Sequence, residues 1–258
     1  MRKLIHMLLC LTLLGGGSLT SAESFGLSMG DAIDKAGRQR MLTQRMIKAY
    51  AMEGMQLRPD AAYEINEAAE LFSSQLSELR KFAANDEEKQ QVAKITLLWS
   101  ELRPDVLSPP SLNNASELNE LAELLLQESH QLVLMLERRS GKLAGKLVNT
   151  SGRQRMLSQR IAKIYLLQTW GLENTFLNAQ YSKAVGEFDS ALGSLMSAPI
   201  NTTEIDRDLA QVNKNWQVFG ISNYSQRYNT RVPSLVVRSM DRILKQMNTI
   251  TGKYAKLH

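Results

Sequence analysis

Along most of the chain, apolar residues recur at three- and four-residue spacing, as they do in helices with one buried stripe. Six prolines, at positions 59, 104, 109, 110, 199 and 233, punctuate that periodicity. The pattern predicts helices near 28–57, 60–84 and 86–102, the first stopping before Arg58-Pro59. A proline-free run from Ser116 to Trp170 follows, with Asn119 and Glu120 behind Ser116 as a capping signal. Gly141 and Gly145 weaken this run, so it reads either as one long helix or as two joined by a tight bend. Further helices are expected near 174–197, 202–219 and 231–256, and no alternating strand pattern of useful length appears. The expected fold class is all-α: two tandem antiparallel four-helix-bundle modules, at 23–140 and 141–258, which a single 116–170 helix would share.

The two modules are expected because the chain repeats itself. Residues 37–45 read Gly-Arg-Gln-Arg-Met-Leu-Thr-Gln-Arg and residues 152–160 read Gly-Arg-Gln-Arg-Met-Leu-Ser-Gln-Arg. Only Thr43 against Ser158 differs, and the hydroxyl is kept. Lys48 and Tyr50 recur as Lys163 and Tyr165, Phe72 as Phe188, and Trp99 as Trp216, all at nearly the same offset. The aromatic pairs read as core packing, and Met41, Met46, Met52 and Met55 as core filler.

Composition sets the compartment. Arg2 and Lys3 precede an apolar run from Leu4 to Leu14, and Thr20-Ser21-Ala22 offers a small-residue cleavage site before Glu23. This is the layout of a secretory signal peptide over 1–22, with an apolar core too short to span a bilayer comfortably; an uncleaved anchor is the alternative reading. The one cysteine, Cys10, lies inside that run without the small residues of a lipoprotein signal before it. Export without disulfides points to a periplasm. The formal charge of +5 falls to +3 once Arg2 and Lys3 are removed. No long basic stripe remains to hold nucleic acid.

Catalysis finds little support. Beyond the leader the only histidines are His130 and His258. No HExxH, CxxC or glycine-rich phosphate loop appears, so no enzyme, cofactor or metal is expected. His130, in Gln127-Glu128-Ser129-His130, has the wrong spacing for a di-metal helix and reads as a helix-face histidine.

The duplicated motif carries the chemistry. On a helix, Arg40 shares its stripe with Ile33, Ala36, Gly37, Thr43, Gln44 and Ile47, and Arg155 shares its own with Val148, Ser151, Gly152, Ser158, Gln159 and Ala162. Each middle arginine should therefore point inward, where it must meet a carboxylate, a water-filled cavity or an exogenous anion. No acid lies within either motif; the nearest, Asp34, sits about 120° round the helix from Arg40. Gly37 and Gly152 leave room one turn upstream, and Thr43, Ser158, Gln44 and Gln159 could add neutral donors. The expected ligand set is Arg40, Arg155, Gly37, Gly152, Thr43, Ser158, Gln44 and Gln159, with Arg38, Arg45, Arg153 and Arg160 as auxiliaries or surface ion pairs. The competing expectation pairs Arg40 and Arg155 with a glutamate on a facing helix, such as Glu70, Glu78 or Glu187.

Ala36 to Arg45, and its partner at 151–160, resemble the signature helix of the PilJ/NarX-like sensory domain. That domain is the periplasmic part of nitrate/nitrite sensor kinases and of type IV pilus chemotaxis transducers. The resemblance implies a four-helix bundle whose first helix carries the motif. It further implies that the arginine of Gly-x-x-Arg-Met, here Arg40 and Arg155, binds an anion shared by two copies in a dimer. Arg38 and Arg153 stand where the nitrate-sensor form has a serine, which brings the motif closer to the pilus-transducer type. The expected function is a soluble periplasmic protein that captures a small oxyanion such as nitrate or nitrite and reports to a membrane partner. The second expectation is a non-catalytic interaction protein docking on a pilus, chemoreceptor or envelope assembly. If the modules fold back on each other, Arg40 and Arg155 can share one ion within a chain. If 116–170 is one helix, about 80 Å long at 1.5 Å per residue, the modules stack and pairing needs a homodimer. Of the two, stacking is the expected form.

Overall fold

The computed structural model describes residues 26–172, 175–224 and 232–257; the expected leader at 1–22 lies outside them. Eight helices follow in order: α1 Met29–Gly54, α2 Ala61–Phe82, α3 Asp86–Val106, α4 Leu112–Ser140, α5 Leu143–Trp170, α6 Thr175–Met196, α7 Thr203–Tyr224 and α8 Pro233–Lys256. No strand occurs among the described residues, and none of their helices is long and apolar enough to cross a membrane.

The ends follow from local chemistry. Ser28 caps α1 by accepting the Asp31 N–H, and Asn85 caps α3 by accepting that of Glu88. The cap expected at Ser116 is not used, because α4 already starts at Leu112. The half-buried Ser111 N–H at that start donates instead to the Tyr50 hydroxyl at 2.9 Å. The Val232 N–H at the start of α8 donates to Tyr165 at 2.8 Å. The two repeated tyrosines thus do the same work, satisfying an orphan amide at the start of the last helix in each repeat. Pro104 does not end α3, which runs on to Val106.

In each repeat the four helices alternate in direction and close a ring, α1 to α4 in one and α5 to α8 in the other. Phe72 packs on Trp99 at 4.4 Å between centroids, and Phe188 on Trp216 at 4.1 Å. The aromatic repeats are core packing, as expected.

The expectation of stacked modules is wrong. The 116–170 run is two helices, and α4 ends at Gly141, which takes the left-handed conformation (φ 62°). Its N–H donates to the Glu137 carbonyl at 3.1 Å. Glycine adopts this geometry without steric cost, and the chain reverses there. The second repeat folds back beside the first, with α1 and α5 forming the most extensive helix pair. The two helices run parallel, since Gly37 lies by Gly152 near their start and Gly54 by Trp170 near their end. A Cβ at Gly54 would stand 2.1 Å from the Trp170 ring, so this approach requires glycine. A local two-fold relation therefore links the repeats, with α1 and α5 at the centre. Folding back buries the motif helices against each other, which end-to-end stacking would leave to solvent or to a second chain.

Candidate functional site

From Ala36 to Met52, α1 is buried on every side except at Arg38 and Arg45; from Ser151 to Leu167, α5 is buried except at Arg153 and Arg160. Both helices are therefore central, although six of the nine residues in each motif are polar. Arg40 is 1% exposed and Arg155 0%.

Helical side chains lean toward the N-terminus, so each motif arginine folds back over the glycine one turn before it. A Cβ on Gly37 would stand 3.3 Å from Arg40 Nη2 and 3.5 Å from Arg155 Nη2. One on Gly152 would stand 3.1 Å from Arg155 Nη2 and 3.6 Å from Arg40 Nη2. Both guanidinium groups thus lie over the same pair of glycines, and a side chain at either would push on them.

The partners of the two arginines differ. Arg155 Nη2 forms an ion pair with Asp34 Oδ1 at 2.6 Å and donates to the Asp34 carbonyl at 3.3 Å. Its Nη1 donates to Asn248 Oδ1 at 3.2 Å. Arg40 Nη2 donates only to the Asn149 backbone carbonyl, at 3.4 Å, and Nη1 to His130 Nδ1 at 2.9 Å. Asn149 is the second repeat's counterpart of Asp34, 115 positions on, and its amide is turned away to donate to Glu137. Arg40 has no ion pair among the described residues, and its Nε and the Asn149 Oδ1 are buried without partners.

The electrostatics follow this asymmetry. Burial, then the neighbouring Arg155 and Arg153 charges, pushes Arg40 down to about 9, which leaves it protonated at neutral pH. Burial, then Arg40, pushes His130 down to about 4. Because guanidinium only donates, His130 Nδ1 must accept, so the neutral imidazole carries its proton on Nε2. Burial alone would raise Asp34, but Arg155 and then Arg38 more than offset it and hold the carboxyl below its usual range.

The structure brings together Arg40, Arg155, Gly37 and Gly152 from the expected ligand set. The other four residues sit elsewhere. The hydroxyls of Thr43 and Ser158 each donate at 2.8 Å to the carbonyl of the arginine three residues before. Gln44 bonds Thr43 at 3.4 Å and also Glu123, while Gln159 donates to Asp241 at 3.3 Å. The auxiliary arginines make ion pairs: Arg38 with Asp34, Arg45 with Glu64 and Glu67, Arg153 with Glu187, and Arg160 with Glu123. None of the expected glutamates reaches Arg40 or Arg155; Glu70 pairs with Arg103, Glu78 with Lys35 and Glu187 with Arg153.

Four contacts of the site were not legible: Asp34, His130, Asn149 and Asn248. His130 is not a bystander on a helix face but the acceptor for Arg40. Asp34 lies off the Arg40 stripe of its own helix and instead serves Arg155 on the parallel one. Lys48 and Lys163, both fully buried, pair across the repeats, Lys48 with Asp241 and Lys163 with Glu123, each at 2.6 Å. Their exact recurrence in the two repeats was the available signal.

The family model described as "Type IV pili methyl-accepting chemotaxis transducer N-term" matches residues 24–125 and again 139–220. No curated protein and no solved structure matches the chain.

Proposed function

The chain belongs to the type IV pili methyl-accepting chemotaxis transducer N-terminal family, with two tandem copies of its sensory-type domain, and from that premise we propose an anion-binding role. In this reading the protein is exported to the periplasm through a cleaved leader and captures a small oxyanion, with nitrate and nitrite the first candidates, between Arg40 and Arg155. It reports the captured ion to a membrane or pilus-associated partner.

One observation carries the proposal. Arg40 is buried and charged, with a free Nε–H and no ion pair among the described residues. A buried cation without a counter-ion costs several kcal/mol, roughly, and an anion would supply what the fold leaves out. The planar guanidinium fork suits oxyanions, which accept paired hydrogen bonds. Because the two arginines meet within one chain, the site needs no homodimer.

The test is a thermal unfolding series in matched sodium salts of nitrate, nitrite, sulfate, phosphate, chloride and small carboxylates. At about 100 times the dissociation constant, binding adds about 2.7 kcal/mol, a shift of several degrees. A selective shift that Arg40→Met removes is the expected result. A flat response in a folded sample would reject the anion and favour the second reading, a helical interaction protein. The ion pair of Arg155 with Asp34 supports that second reading for half of the site.

A further inference from the structure

We propose that Asp34 is a built-in counter-ion that restricts the arginine site to a single monovalent anion, held against Arg40. This rests on the anion-binding reading and adds the charge class and number of the ligand.

The inference starts from the charges in contact. Arg40 and Arg155 bring two positive charges to one place, over Gly37 and Gly152. Asp34 returns one negative charge at 2.6 Å from Arg155. His130 faces Arg40 as a neutral acceptor, and Asn248 faces Arg155 as a neutral amide. Glu137 is engaged by the Asn149 amide and makes no ion pair with Arg40; its charge favours the Arg40 cation through space, and Arg153 acts on Arg40 with the opposite sign. Arg38, on the half-buried rim at 30% exposure, shares Asp34 at 2.9 Å. The buried centre therefore lacks one negative charge. A monoanion balances it; a dianion would leave a surplus negative charge beside the Asp34 carboxylate, out of water.

The repeat itself supplies the comparison. At the position equivalent to Asp34 the second repeat has Asn149, isosteric but uncharged. Had both been aspartate, each arginine would be neutralised from the opposite repeat and nothing would be left for a ligand. Had both been asparagine, two buried cations would face each other and call for two monoanions or one dianion. One carboxylate and one amide select the intermediate case. The same pair places the ion on the Arg40 side, where the guanidinium has no ion pair among the described residues, and not on Arg155, which Asp34 holds; Nε is unpartnered in both.

The experiment is isothermal titration of the purified chain with sodium nitrate, nitrite, formate and sulfate, in parallel with thermal unfolding. The expected result for the wild type is one monoanion per chain and sulfate binding at least tenfold weaker. Asp34→Asn is expected to raise sulfate affinity at least tenfold, and Asn149→Asp to abolish monoanion binding while the chain stays folded by circular dichroism. Two monoanions per wild-type chain, or sulfate binding as tight as the best monoanion, would overturn the proposal and leave the anion site standing. An unchanged sulfate response in folded Asp34→Asn would overturn it too. If no salt binds the wild type or either variant, the anion reading itself falls. The wild-type stoichiometry and selectivity decide the matter even if a variant does not fold.

Discussion

Arg155 and Asp34 form a 2.6 Å ion pair across the two repeats, whereas their counterparts, Arg40 and Asn149, meet only through a backbone carbonyl at 3.4 Å. Equivalent arginines in equivalent surroundings thus carry unequal burdens. Removing Arg155 leaves the Asp34 carboxylate with Arg38 alone; removing Arg40 takes away a buried charge that has no ion pair among the described residues.

Arg155→Met is therefore expected to destabilise the ligand-free chain by about 2 kcal/mol, and Arg40→Met to leave it unchanged or raise its stability by about 1 kcal/mol. Urea unfolding without added oxyanion compares them. Equal losses for both variants would contradict the asymmetry.

The buried lysines give a second expectation. Glu123 is the ion-pair partner of Lys163 among the described residues, and it also holds Arg160. Glu123→Gln should cost about 3–5 kcal/mol by stranding a buried ammonium. Lys163→Met added to it should recover most of that loss, since an apolar side chain of similar length needs no partner. A double-mutant cycle by urea unfolding reads the coupling; additive losses would show that the pair does not act as one unit.

His130 makes stability depend on pH. Its folded-state value lies near 4, below the ordinary 6.5, so the folded state binds its proton less readily than the unfolded chain. Its contribution is complete above pH 6.5 and is lost as the pH falls from there through about 4, where the protonated ring can no longer accept from Arg40. With partial exposure screening the effect, the loss is about 1–2 kcal/mol. His130→Gln keeps an acceptor without the titration, so the difference between its pH–stability curve and that of the wild type should show this loss. Parallel curves would count against it.

Glycines at close approaches should be intolerant and those in open space tolerant. Gly54→Ala puts a Cβ into the Trp170 ring and should cost about 1–3 kcal/mol in denaturant unfolding. Gly186→Ala, in α6 with nothing within 4 Å of the new carbon, should stabilise by about 0.5–1 kcal/mol. If both variants lose stability alike, close approach is not what the Gly54 position requires.

Much of the site was legible because a helix converts spacing into direction. Arg40 and Arg155 could be placed inward, and Gly37 and Gly152 beneath them, from their stripes alone. Thr43 and Ser158 share those stripes, yet their hydroxyls bond their own helix backbone, a competition that periodicity does not reveal. The counter-ion was missed because it comes from a neighbouring helix.

Periodicity, capping residues and the duplicated motif by themselves determined an all-helical chain of seven or eight helices, two repeats and two inward arginines. Each of those properties depends on residues within a few turns of one another, and the 3.6-residue period reports them directly. Tertiary packing decided the rest. The reversal at Gly141 set α1 beside α5 in parallel and turned a stacked array into a paired one. That pairing gave Lys48 a partner 193 residues away in Asp241 and Arg155 one 121 residues back in Asp34. Such partners are chosen by which buried charges must be neutralised once helices meet, and no local pattern carries that information.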